Sequence, residues 1–112
     1  MSDDIPSIKR QLKIKTGAVS RLWKEYNMYR KEAEEQKVKV DKMIADAGDE
    51  YEIRNAQRIL AESEKMIEDT SSRVGKAAVD LREIVVVAKQ HPEILNDEEY
   101  LKAQEVLQES NL

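Results

Sequence analysis

Positions 5, 8, 12, 15, 19, 22, 26, 29, 33, 36, 40, 43 and 47 advance alternately by three and four residues. They read Ile5, Ile8, Leu12, Lys15, Val19, Leu22, Tyr26, Tyr29, Ala33, Gln36, Val40, Met43 and Ala47. Only Lys15 and Gln36 are polar, so a heptad seam is sustained over more than five repeats, which fits one long helix lying against another and little else. A second row follows the same rule: Ile53, Ala56, Leu60, Ser63, Ile67, Thr70, Val74, Ala77, Leu81, Ile84 and Ala88, interrupted only by small hydroxyls. Between the rows lies DAGDEY, where Gly48 is expected to end the first helix in a left-handed cap and Asp49 to open the second. A connection this short makes the two helices antiparallel neighbours.

The fold expected is therefore all-α: an elongated three-helix bundle, two long antiparallel helices plus a shorter C-terminal one, in a single domain spanning 1–112. Helix 1 is placed near 7–46 and helix 2 near 51–89. Pro92 biases His91 out of helical geometry, and Asn96 with Glu99 forms a capping-box-like start for helix 3, near 97–109. Composition agrees, with three Gly, two Pro, no Phe and 38% charged residues. EIVVVA (83–88) would suit a strand in isolation, but no second strand-like segment could pair with it. Folding about Gly48 sets Tyr26 and Tyr29 opposite Thr70, Val74 and Gly75, which would give Gly75 a packing role. It also sets Gln36 near Ser63 as a polar layer fixing register. Ile59, Met66, Ala78 and Val85 widen the apolar stripe of helix 2 beyond a two-helix seam. Helix 3 is too short to cover it all, leaving surface for a partner or a second copy of the chain, a homodimer.

The residues for chemistry are scarce. No Cys means no disulfide, thiolate zinc site or thiol nucleophile. The one His, His91, precedes a Pro in a predicted loop, where a solvent-exposed role is expected, and the three isolated Gly form no phosphate loop. No enzyme, metal or cofactor is expected. The longest apolar run, Ile84 to Ala88, is far short of the roughly 20 residues that span a bilayer, so no membrane association is expected, and the reading is of a soluble cytoplasmic protein.

Charge is uneven. Net charge is -4, but residues 1–46 carry 11 basic and 8 acidic side chains while 47–112 carry 8 and 15. From Ile5 to Lys24 there are six basic residues and no acidic one. That run is either a solvated face answering the acidic half or a surface for an acidic protein partner. Nucleic acid fits poorly with a pI of 5.1, a single basic stretch and no aromatic platform. Trp23 and Met28 lie beside the seam; Trp23 either supports helix 3 or stands as an exposed anchor.

LKIKTGAVSRLWKE (12–25), MYRKEAEEQ (28–36), YEIRNAQRILAESEKMIED (51–69) and Ala77, Ala78, Asp80 and Leu81 beyond them closely resemble the tubulin-binding cofactor A family. The likeness runs from about 12 to 110. It implies a three-helix bundle without enzymatic activity that captures β-tubulin folding intermediates and passes them on, with other tubulin-folding cofactors as further partners and a cytoplasmic, cytoskeleton-linked location. Tubulins are acidic, so a basic helix face could steer toward such a client. Carried over residue by residue, the partner-binding positions are Lys13, Lys15, Thr16, Arg21, Lys24, Glu25, Lys31 and Glu32 on helix 1, and Glu62, Met66 and Asp69 on helix 2. Tyr29 and Ser63 match as well but serve packing equally. Glu68 stands where the family commonly has a proline, and Trp23 where it usually has a smaller aliphatic residue. The reading from a different class is a coiled-coil adaptor or membrane-traffic bundle, which would leave Leu22, Ile67 and Leu81 exposed for another helix.

Overall fold

A computed structural model describes residues 4–111; residues 1–3 and 112 of the expected domain lie outside it. The order is α1 (Ile5–Ala45), α2 (Glu50–Ala88), a short 3-10 turn (Pro92–Ile94) and α3 (Glu98–Glu109). Among the described residues there is no strand, and residues 84–88 continue α2. The molecule measures 65 × 24 × 16 Å, with a radius of gyration of 20.0 Å where a compact chain of this length would have about 13 Å. It is a rod as long as α1.

The heptad seams face inward. Ile8, Leu12, Val19, Ala33 and Val40 of α1 are buried, as are Ala56, Thr70, Val74, Leu81, Ile84 and Ala88 of α2. Both polar seam positions of α1, Lys15 and Gln36, are half-buried. The Gln36 amide donates to the Ala56 carbonyl at 3.0 Å, so its partner across the seam is backbone rather than the expected Ser63. A side-chain donor on a carbonyl of the opposite helix still fixes register, because a shift by one residue would break it.

α3 converts one end of the hairpin into a three-helix core. Ile8, Leu12 and Val19 of α1, Leu81, Ile84, Val85 and Ala88 of α2, Ile94 of the turn, and Tyr100, Ala103 and Val106 of α3 form one buried cluster. Val85 and Ala78, which widen the α2 stripe, are buried, whereas Ile59, farther along, stays 41% exposed. The third helix thus covers only the end of the rod remote from the hairpin turn. His91 has the extended backbone a residue before proline adopts. Its ring is half-buried rather than freely exposed, with Nδ1 3.9 Å from the Glu93 carboxylate.

Several local features differ from the sequence reading. α1 begins at Ile5 because Pro6 sits in the first turn, where its missing N–H has no helical acceptor to lose. The left-handed residue after α1 is Ala47 (φ 53°), not Gly48. The Ala47 N–H donates to Ile44 O (3.1 Å) and the Gly48 N–H to Met43 O (2.9 Å), which is the Schellman pattern. Gly48 is needed for close approach, since a Cβ there would lie 3.2 Å from Met43 O. Asp49 caps α2 as expected, accepting from the Glu52 N–H at 3.2 Å. Gly75 faces solvent, and an added Cβ would meet nothing within 4 Å, so the packing role expected for it does not exist. α2 runs unbroken through the exposed Glu68.

α3 is capped by Asp97, not Asn96. Its carboxylate accepts from the Glu99 N–H (3.0 Å) and pairs with Lys9 Nζ (3.1 Å). Partial burial disfavours the Asp97 anion, but the Lys9 hydrogen bond, the backbone N–H groups and the Lys9 charge outweigh it and hold the carboxyl below its ordinary value of 3.8. One side chain therefore starts α3 and ties it to α1.

Four substitutions test these local features. Ala47→Gly should stabilise the fold by about 1 kcal/mol by relieving the left-handed strain, and Gly75→Ala by a similar amount through helix propensity, whereas Gly48→Ala should destabilise it. Urea unfolding measures all three. Asp97→Asn keeps a good cap and removes the charge, so it should cost up to about 1 kcal/mol at pH 7. Because the folded-state value is depressed, this contribution is complete above the unfolded value near 3.8 and is lost as pH falls through the lower folded value. The wild-type and Asp97→Asn unfolding curves should therefore converge in strong acid.

Candidate functional site

On α1 the residues opposite the seam also advance by three and four: Lys13, Gly17, Ser20, Lys24, Met28 and Lys31. All but the half-buried Ser20 are exposed, and four of the six candidate cations of the 5–24 run (Arg10, Lys13, Arg21 and Lys24) are exposed along this outward side. The basic run is one flank of a helix whose other flank is buried, and its cations share that flank with the exposed Ile14.

A groove of about 430 Å³ lies on this side, lined by Thr16, Gly17, Ser20, Arg21, Lys24, Glu25, Met28 and, from α3, Lys102. The Lys9–Asp97 contact sets α3 beside α1, and Lys102, little more than a helical turn beyond Asp97, reaches the groove. Among the described residues none of Arg21, Lys24 and Lys102 has an ion-pair partner. Three cations against the single carboxylate of Glu25 make the groove positive. Thr16 is only 2% exposed, and its Oγ1 is buried without a hydrogen-bond partner. Gly17 leaves the groove floor open, since a Cβ there would meet nothing within 4 Å.

The structure gathers four of the expected partner-binding residues here: Thr16, Arg21, Lys24 and Glu25. Lys13 is exposed one turn before Gly17, whereas Lys15 is half-buried at the seam. Lys31 lines a second groove with Asn27, Arg30, Glu34 and Ile67, and Glu32 a third with Glu35, Gln36, Lys39, Ile59 and Ser63. On α2, Glu62 and Asp69 are exposed and Met66 is half-buried, its carbonyl accepting from Thr70 Oγ1; none of the three lines the α1 groove. Tyr29 and Ser63 are both half-buried. Trp23 neither joins the α3 core nor stands free: it is half-buried and stacks on Tyr26 (centroids 5.4 Å apart, planes at 19°), with the Arg30 guanidinium 5.5 Å over the Tyr26 ring. Sequence reasoning missed Lys102. Its position beside residues some eighty places earlier depends on how α3 docks, which no local pattern encodes.

Among the described residues no group of three His, Asp or Glu side chains could hold a metal, and no helix is long and apolar enough to cross a membrane. The surface on offer is suited to binding through charge.

Comparison with known proteins agrees with this architecture. A family model described as Tubulin binding cofactor A matches residues 7–107. A rat protein named tubulin-specific chaperone A is 47% identical over 88% of this chain and 88% of its own length. Among solved structures, human tubulin chaperone cofactor A superposes with a TM-score of 0.79 at 42% identity, covering 94% of this chain and 99% of that one. Tubulin folding cofactor A from Arabidopsis thaliana gives 0.87 at 28% identity, covering 94% and 96%. The chain belongs to the tubulin-binding cofactor A family, a family of chaperones and not of enzymes.

Proposed function

We propose that this chain captures β-tubulin folding intermediates through the polar outer surface of its helices, led by the basic flank of α1. The carrying observation is the row of cations without ion-pair partners among the described residues and the groove they border, on the side of α1 turned away from α2. Family membership supports the choice of client, since the relatives are named as tubulin-specific chaperones. Charge suits a chaperone that must also let go, because exposed ion pairs speed encounter more than they prolong residence.

In this reading Lys13, Arg21, Lys24 and Lys31 meet acidic surface on the client, Glu25 and Glu32 make polar contacts beside them, and the buried Thr16 shapes the groove from within. Lys15 acts from the edge of the seam. Glu62, Met66 and Asp69 on α2 form a second, acidic contact. Release to other tubulin-folding cofactors would take place in the cytoplasm, close to the cytoskeleton. Burial supports this reading over a helix-docking adaptor: Leu81 is fully buried and Leu22 and Ile67 are half-buried, leaving no continuous apolar strip at those positions.

Reversing Lys13, Arg21 and Lys24 together to Glu should weaken capture of newly synthesised β-tubulin by at least about tenfold at low salt, with the gap narrowing as ionic strength rises. Circular dichroism should show an unchanged helical content. Equal capture by wild type and triple variant, measured by co-migration on native gels, would remove the basic flank from the mechanism.

A further inference from the structure

We infer that the groove over Gly17 is a subsite for an extended, acidic polypeptide segment, its carboxylates held by Arg21, Lys24 and Lys102 and its backbone passing directly over the glycine. The inference deepens the proposed reading, because it rests on the α1 flank meeting the client and adds which part of a client fits there. Two observations carry it together.

The first is Gly17. A glycine inside a helix weakens it relative to alanine, and here nothing within the chain requires one, since the space above Cα is open to 4 Å. Gly75 is equally free of neighbours but does not line this groove. Only at Gly17 does the bare backbone form the floor of a cleft with charged walls, a place where another backbone can approach without meeting a side chain. The second is the charge pattern. Arg21 and Lys24 on one wall and Lys102 on the other have no ion-pair partners among the described residues. Glu25 is the lone carboxylate, and it lies toward Met28, which is 46% exposed. The groove therefore prefers carboxylates and tolerates an apolar side chain against Met28.

A polypeptide fits these features better than nucleic acid. The cationic stretch is short, a carboxylate interrupts it, and Trp23 and Tyr26 stack on each other rather than offering their faces to bases.

The test uses the full chain and a labelled glutamate-rich peptide with one central leucine, with the matching glutamine-rich peptide as control. Amide shifts on titration should concentrate at Gly17, Ser20, Arg21, Lys24 and Lys102. Lys24→Glu and Lys102→Glu should each weaken binding by about fivefold or more, while Lys39→Glu, the same charge change farther along α1, should stay within about twofold. Gly17→Leu, which fills the floor with a good helix former, should weaken binding by about tenfold, Gly75→Leu should leave it unchanged, and Glu25→Gln should strengthen it. Unaltered binding by Gly17→Leu, an equal loss at Lys39→Glu, or tighter binding of a single-stranded oligonucleotide of the same charge would overturn the inference. Because the probe is not tubulin, the two readings fail separately. Peptide binding at this groove without β-tubulin capture would leave the subsite and remove the proposed function, and capture that survives Gly17→Leu would do the reverse.

Discussion

The antiparallel seam between α1 and α2 is the constraint from which the rest of the molecule follows. Two helices of about 40 residues bury a narrow stripe on each other, and nearly every regularly spaced apolar side chain of α1 is used in doing so. A stripe that narrow cannot support a globule, so the chain is a rod with a high proportion of exposed polar side chains. The outward flank of α1 is consequently polar by construction. Recognition on it has to use charge and shape, with isolated apolar contacts such as Met28, rather than a broad oily patch.

Docking of α3 turns one side of that charged flank into a groove. Asp97 satisfies the first turn of α3 and pairs with Lys9, while Tyr100, Ala103 and Val106 complete the only part of the rod that is three helices thick. Lys102 follows as a consequence and closes the groove from the far side. The same docking buries Thr16, which lies off the heptad seam and would face solvent in a two-helix hairpin. Core formation and site formation are thus one event at this end of the molecule.

What was legible in the chain divides along the same line. The seams could be read because each is a repeat within one helix; of the positions named at the outset only Ala47, past the end of α1, proves exposed. The bundle class and the family likeness were legible too, the latter through residues such as those of the Lys13–Gly17 stretch. The details that escaped depend on competition or distance. Gly48 is the left-handed residue expected on propensity alone, but the bonds that close α1, Ala47 N–H to Ile44 O and Gly48 N–H to Met43 O, put that conformation one residue earlier, at Ala47. Asn96 and Asp97 are both good caps, and the Lys9 that pairs with Asp97 comes from the far end of the sequence. Register sets Gly75 level with Tyr26 and Tyr29, but it points away from the seam, because a helical face is set by a turn of about 100° per residue and not by level along the axis.

The uneven reach of α3 also sets where the rod is firm. Toward the hairpin turn the two helices are held by small side chains such as Ala33, Val40 and Ala56 and by the Gln36 bridge. Local opening there costs less free energy than at the thick end, where a continuous cluster would have to come apart. The charged groove lies over the stiff end. A visitor settling there meets a backbone already immobilised, so little entropy is lost in ordering the host, and fluctuations at the opposite end pass without disturbing the grip.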